Sequence, residues 1–367
     1  MSFSISNTST MSPLEPAAIL LLDNVSLVLS GTSSCLSILG AIVIFLTYNV
    51  EVRNARIRQT RRLLMYLTVA DTMTAIGILI GTIRYALIHQ QKRAINFTEH
   101  EQLCRNPDEM CVAQSMITTF SGMASLFWSL VIGIHLIVSL RPTFAVTDPE
   151  RPWSELKAHV ICWGLPGAIT MAALSYNMLG ENFSIGTGPW CWIKVCFEDP
   201  ALPYLWMTLA GRGWDVIIYV TSMVFFVLLV FYLRRRGFTR SDLPRRTENR
   251  LRVEDANFVY LWLLTYVLKI WGTARFCMAV VNQQTYSSRL PIFHDVHKFL
   301  LYMQSFFDGL QAFSNCILFV FLDRSMRNGM IEHYRCTREG NPLLQTHAYQ
   351  RQYGATGISA SINTART

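Results

Sequence analysis

Long apolar stretches alternate with short charged segments along the chain. A helix needs about 20 apolar residues to cross a hydrocarbon core about 30 Å thick. Seven stretches meet that length: Val25–Tyr48, Leu63–Ile83, Val112–Leu140, Ala158–Leu179, Tyr204–Leu233, Phe258–Val281 and Val296–Leu322. A soluble domain seldom has one. The pattern predicts an all-α membrane protein, a seven-helix bundle over 25–322. The basic amphipathic stretch Asp323–Arg335 predicts an interfacial eighth helix at 323–338. The polar tail 339–367 is expected to be disordered. Segment 1–24 is too short for a folded domain, and its apolar run Ala17–Leu22 is too short for a signal peptide. The first span is therefore expected to act as an uncleaved anchor.

Composition narrows the class. Charged residues make up 15% of the 367, well below the usual quarter, and hydrophobic ones 51%. This excludes a disordered chain, a collagen and a small disulfide scaffold. The net charge of +8 fits either a nucleic-acid patch or a sided membrane protein, and its distribution decides. Connectors 49–62, 141–157, 234–256 and 323–367 carry 22 of the 32 Lys and Arg; 1–24, 85–110, 180–203 and 282–295 carry 5. Basic residues stay on the cytoplasmic side, so the N-terminus is expected outside and the C-terminus inside. A multi-pass protein of the plasma membrane follows, with lipid as a partner and no nucleic acid. Asn-x-Ser/Thr occurs at Asn7, Asn24, Asn96 and Asn182, all in expected outer segments. Asn24 lies too near the membrane, leaving Asn7, Asn96 and Asn182 as glycosylation candidates.

Cysteines Cys104, Cys111, Cys191 and Cys196 fall on the expected oxidising side and allow three pairings. A Cys111–Cys191 bridge would tie the second outer loop over the bundle mouth and leave Cys104–Cys196 as a second. Cys35, Cys162, Cys277 and Cys316 lie within spans and read as small packing residues. Cys336, after the amphipathic stretch, is a palmitoylation candidate.

Ionisable residues within a bilayer are costly and mark function. Asp71 is mid-span. Gln304, Asp308, Gln311 and Asn315 share one face of the seventh span, at offsets of 4, 7 and 11. Ser121, Ser125, Trp128 and His135 share one face of the third. Asp71, Ser125, His135 and Asn315 are candidate intrahelical switch residues; the Ser, Gln and Asn positions read equally as interhelical glue. Arg84, Arg212, Asp215, Lys269, Arg275, Gln304 and Asp308 are candidate pocket residues. Five basic span residues (Arg84, Arg212, Lys269, Arg275, Lys298) against three acidic ones leave +2, which would favour a small anionic ligand. Gly272 beside Trp271 would allow a bend, and Pro166 should kink the fourth span.

Local motifs then resemble G-protein-coupled receptors. LTVAD at 67–71 resembles the second span of rhodopsin-like receptors, and CWGLP at 162–166 the Trp-Gly-x-Pro of secretin-type receptors. The mixture is similar to the cyclic-AMP-receptor-like class and to the orphan G-protein-coupled receptor 157 group. RRLLMYLTVAD (61–71), TFSGMASLFW (119–128), GPWCWI (188–193), GRGWD (211–215), LKIWGTARF (268–276) and SNCILFVF (314–321) carry it. It implies a Cys111–Cys191 bridge, an acidic residue at Asp71 and the Trp163, Gly164, Pro166 motif. HLIVSLRP (135–142) stands where rhodopsin-like receptors have Asp/Glu-Arg-Tyr, and the seventh span lacks Asn-Pro-x-x-Tyr, so their inactive-state lock does not carry over.

The expected function is transmission of ligand binding to a heterotrimeric G protein. The contact would come from the third inner loop, through Arg234, Arg235, Arg236, Arg245 and Arg246. The same arginines suit anionic lipid. A ligand-independent membrane scaffold and a small-solute transporter are the alternatives, although no repeated halves are visible. No catalytic motif, metal site or cofactor is expected.

Overall fold

The computed structural model describes residues 24–48, 55–91, 107–139, 152–182, 187–195, 197, 199, 201–235, 264, 266–281 and 291–322. The expected eighth helix, the tail, Asn7, Asn96, Cys104, Cys196, Arg236, Arg245, Arg246 and Cys336 lie outside these residues. The helices are α1 Asn24–Thr47, α2 Ala55–Gln91, α3 Glu109–Ser139, α4 Pro152–His159, α5 Leu165–Ser175, α6 Ala201–Met207, α7 Gly213–Arg235, α8 266–281, α9 Pro291–Phe307 and α10 Gln311–Cys316. Among the described residues, Asn24–Thr47, Arg62–Ile88, Glu109–His135 and Leu156–Ser175 are long and apolar enough to cross a membrane. Their large apolar side chains also point outward: Leu46 is 72% exposed and Val28 62%. In water such a surface would be a liability; lipid is its natural solvent.

The bundle is held by small and hydroxylic residues. One stripe of α1 (Ser26, Ser30, Ser33, Ser34, Ser37, Gly40, Ala41) is buried, which lets backbones approach closely. Ser30 Oγ lies 2.9 Å from Thr82 Oγ1 of α2. A Cβ on Gly40 would sit 2.7 Å from the Phe313 Cα of α10, so the crossing requires glycine. Gly77 of α2 likewise faces Thr118 of α3.

Three i→i+5 turns interrupt the expected spans. Val160–Gly164 joins α4 to α5, Thr208–Arg212 joins α6 to α7, and Ile317–Leu322 follows α10. The first stands directly before Pro166, where the missing proline N–H would break an α-helical ladder. The expected kink is thus realised as a wide turn. Gly272 lies within the unbroken helical run 266–281. The seventh expected span breaks between α9 and α10, at Asp308–Gly309–Leu310. There Ser37 Oγ of α1 accepts hydrogen bonds from the Ala312 and Phe313 N–H groups, at 3.0 and 3.3 Å.

α5 ends in a left-handed Asn177 (φ 56°), with Met178 N–H on the Ala173 carbonyl and Asn177 N–H on that of Leu174. The turn starts a short antiparallel hairpin, β1 Leu179–Gly180 with β2 Trp192–Ile193, paired Leu179 to Ile193 and Gly180 to Trp192. The hairpin is buried against Met207 and Ala210.

Of the span cysteines, Cys162 and Cys316 are buried as expected. Cys35 and Cys277 are exposed, correcting their reading as packing residues.

Candidate polar cavity beneath the hairpin

Cys111 at the start of α3 is bridged to Cys191 of the hairpin, with 5.6 Å between their Cα atoms. The bridge draws Thr187–Lys194 inward, and all eight residues are buried. Gln114 of α3 fixes the backbone there: its Oε1 accepts from the Cys191 N–H at 2.9 Å, and its Nε2 donates to the Cys191 carbonyl at 3.3 Å. Trp190 packs on Gly81, where a Cβ would lie 2.5 Å away.

Beneath this lid is a cavity of about 90 Å³. Trp190 and Trp192 line it from the lid, and Arg212, Asp215, Lys269 and Asp308 are its charged lining. The wide turn Thr208–Arg212 sets Arg212 at its rim. Arg212 Nη1 donates to Asp215 Oδ2 at 3.2 Å, and its Nη2 lies 3.7 Å from Asp308 Oδ2. Its guanidinium stacks 5.5 Å from the Trp192 ring centroid. Gly272 leaves room for it, since a Cβ there would sit 2.5 Å from both terminal nitrogens. Gly272 thus serves as a cradle for the Arg212 guanidinium.

One layer outward, Arg275 donates through Nη1 to the Thr187 carbonyl and, at 3.0 Å, to Gln304 Oε1. Gln304 Nε2 donates to Asp308 Oδ2 at 3.0 Å. One layer inward, Asp71 of α2 accepts from Ser125 Oγ at 2.5 Å and from Asn315 Nδ2 at 2.7 Å. With the Gln311 amide turned to satisfy both its ends, Nε2 donates to Asp71 Oδ1 at 2.9 Å and Oε1 accepts from Lys269 Nζ at 3.2 Å. Polar contacts therefore form two sets that meet at the cavity, one from the lid carbonyl to Arg212 and Asp215, the other from Lys269 through Gln311 to the Asp71 carboxylate.

The expected pocket set separates into layers. Arg212, Asp215, Lys269 and Asp308 line the cavity; Gln304 and Arg275 stand behind it. Arg84 is elsewhere: it pairs with Asp108 at 3.0 Å and with Glu181 of the hairpin region at 2.9 Å. Glu181 also accepts from the Tyr85 hydroxyl. That changes the charge balance. Around the cavity, Arg212, Lys269 and Arg275 meet Asp71, Asp215 and Asp308, so the charges cancel. The expected surplus of two is corrected, because Arg84 has its own carboxylates and Lys298 lies over Tyr302 at 5.8 Å. Ser125 and Asn315 both donate to Asp71 and join three helices there. His135 lies three turns further along α3 and is separate from these contacts. Arg234 and Arg235 end α7. Asn182, a glycosylation candidate, is 0% exposed, and its Nδ2 donates to Thr187 Oγ1 at 2.5 Å.

Glu181, Thr187, Trp190 and Trp192 went unrecognised in the sequence. Nothing in their local pattern says that a loop turns inward; only Cys191 hints at it. Lys194 of the same strand is buried, with Nζ on Asn177 Oδ1 at 2.9 Å, and desolvation lowers its pKa. Cys111, Glu181 and Cys191 lie close together, but both sulfurs are used in the bridge, so this cluster offers no thiolate to a metal.

Comparison with known proteins adds relatives. The Frizzled/Smoothened family membrane region matches residues 23–187. G-protein coupled receptor 157 of Mus musculus is 26% identical over 286 residues, 76% of this chain and 77% of that protein. The Homo sapiens protein of the same name is 26% identical over 275 residues, 73% and 72% of the two chains. Cyclic AMP receptor 1 of Dictyostelium discoideum is 33% identical over 90 residues, 24% and 20%. The motif-based resemblance to G-protein-coupled receptors is therefore borne out. The relatives are receptors rather than enzymes.

Proposed function

We propose that this multi-pass membrane protein is a seven-helix receptor that passes occupancy of the polar cavity to a heterotrimeric G protein. In this reading the disulfide end faces outside, and the bundle sits in the plasma membrane with its C-terminus in the cytoplasm. Segments 201–235, 266–281 and 291–322 supply the fifth, sixth and seventh crossings. The arginines that follow α7 meet the G protein and anionic lipid headgroups.

The observation that carries this reading is the polar relay from lid to core. The Thr187 carbonyl, Arg275, Gln304 and Asp308 lead to Arg212 and Asp215; on the same cavity lining, Lys269 and Gln311 lead to Asp71. These residues come from α2, α7 and the turn before it, α8, α9 and α10, the linker before α10 and the hairpin lid. A ligand that repacks one member must repack the others, because each buried polar group requires a partner. The helix break at Asp308–Gly309 gives the relay an element able to adopt two arrangements. A ligand preferring one of them shifts the population.

The test is a panel of G-protein dissociation sensors in cells expressing the chain. At least one heterotrimer should show activation above empty cells. Asp308→Asn and Arg212→Gln should change that signal several-fold at matched surface expression. Silence across the panel would favour a ligand-independent scaffold, as would a signal unmoved by both variants.

A further inference from the structure

The charge balance and size of the cavity restrict what can enter it. Three cations and three carboxylates already cancel there, inside a helix bundle with lipid around it. A ligand of one sign would leave a buried charge without a partner, which is strongly unfavourable in a medium that solvates ions poorly. A wholly apolar ligand would strip Arg212, Asp215, Lys269 and Asp308 of their polar surroundings. A ligand carrying both charges escapes both penalties.

The geometry also indicates where it would enter. The Arg212–Asp215 contact is 3.2 Å, whereas Arg212 Nη2 and Asp308 Oδ2 stand 3.7 Å apart. A well-made charge-assisted hydrogen bond is about 2.7–2.9 Å, so Arg212–Asp308 is the longer of the two ion pairs made by Arg212. It is the one to split. Arg212 then faces an incoming carboxylate, with Lys269 on the same lining, and Asp308 faces an ammonium. Volume sets the size. A cavity of about 90 Å³ holds about three waters at liquid density or, at interior packing density, roughly five heavy atoms of solute. Trp190 and Trp192 line it from the hairpin side.

We propose that the cavity is a binding site for a very small zwitterion of the amino-acid type, its carboxylate on Arg212 and its ammonium on Asp308. This rests on the receptor reading only for access to the cavity from the disulfide end. So few atoms limit affinity to weak binding, with a dissociation constant on the order of ten micromolar to millimolar.

The test uses the full-length receptor purified in detergent and reads thermal unfolding, which needs no G protein. Glycine and alanine are compared with acetate and propionate, and with methylamine and ethylamine. The zwitterions should raise the midpoint of unfolding by a few degrees at millimolar concentration, at no less than tenfold lower dose than either matched ion. Asp308→Asn, which deletes the ammonium partner, should reverse the order so that propionate outranks alanine. Arg212→Gln should make ethylamine outrank alanine. The wild-type comparison stands by itself if a variant fails to fold. Equal effects of alanine and propionate would overturn the proposal, and so would no effect of alanine at any dose. The receptor reading is judged separately, by the G-protein sensors.

Discussion

Arg212 is held by what is missing beside it. Its guanidinium fills the space a Gly272 side chain would take, between Asp215, Asp308 and the Trp192 ring. Gly272→Ala would drive a methyl to 2.5 Å from both terminal nitrogens. Overpacking of this kind costs about 1–3 kcal/mol. The detergent-purified variant should unfold several degrees lower, and Arg212→Gln should cost much less in that background than alone, since the ion pairs are already disturbed. Additive losses would mean that Gly272 does not act through Arg212. A second residue-scale case is Asp71, whose carboxylate takes hydrogen bonds from Ser125 and Asn315, with Gln311 linking it to Lys269. Removing one member of a buried charged set is destabilising by about 3–5 kcal/mol, because the others stay charged. Asp71→Asn and Lys269→Met should each lower the unfolding midpoint, with the double variant no worse than the weaker single. A fully additive double variant would show that the two charges do not sense each other.

At the scale of elements, what the sequence discloses depends on periodicity. The apolar runs behind α1, α2, α3 and α4–α5 are long and uninterrupted, and their bounds agree to a few residues with the segments long and apolar enough to cross a membrane, although α2 itself extends eight residues beyond its run at each end. The shared face of Gln304, Asp308, Gln311 and Asn315 was equally readable, because helical offsets are local. The break inside that face was not. Asp308–Gly309–Leu310 has no proline, and its backbone is satisfied from another helix: Ser37 of α1 caps the first turn of α10, and the Ser305 carbonyl accepts from Ser33 Oγ at 3.4 Å. Contacts between residues 275 positions apart leave no mark on local sequence. The inward hairpin escaped for the same reason, and with it Glu181 and the true surroundings of Arg84. The cap is directly testable. Ser37→Ala removes an acceptor from two N–H groups in a nearly water-free place and should cost at least the ~1 kcal/mol of a lost N-cap. Ser34→Ala, whose buried hydroxyl has no hydrogen-bond partner among the described residues, should be neutral or stabilising. Thermal unfolding of both variants separates the cap from mere packing of the serine stripe.

For the whole molecule, charge distribution and the buried hairpin make different demands on one face. Of 32 Lys and Arg, 22 lie on one set of connectors and 5 on the other; in the proposed orientation Asn96 and Asn182 share the outer side. Charge alone therefore treats both sequons alike. Packing separates them. Asn182 is wholly buried, and its amide holds Thr187, whose carbonyl accepts from Arg275 over the cavity. A glycan there would have to push Thr187 off the rim and open the lid. The expected outcome is that Asn96→Gln removes a glycosidase-sensitive shift in gel mobility, while Asn182→Gln leaves the shift unchanged. Glycan on Asn182 in a receptor that still unfolds cooperatively would mean that the hairpin lies outside the mouth, and the cavity would lose its lid. Absence of glycan at Asn96 together with labelling of 234–256 from outside would reverse the orientation itself. Cys191→Ser supplies the complementary measurement. The bridge closes a loop 80 residues apart, worth about 4 kcal/mol in chain-entropy terms. Its loss should lower surface expression and free the hairpin, so that a thiol-reactive probe reaches a cysteine placed at Thr187 only in that background. Equal labelling with the bridge intact would show that the lid is open without its removal.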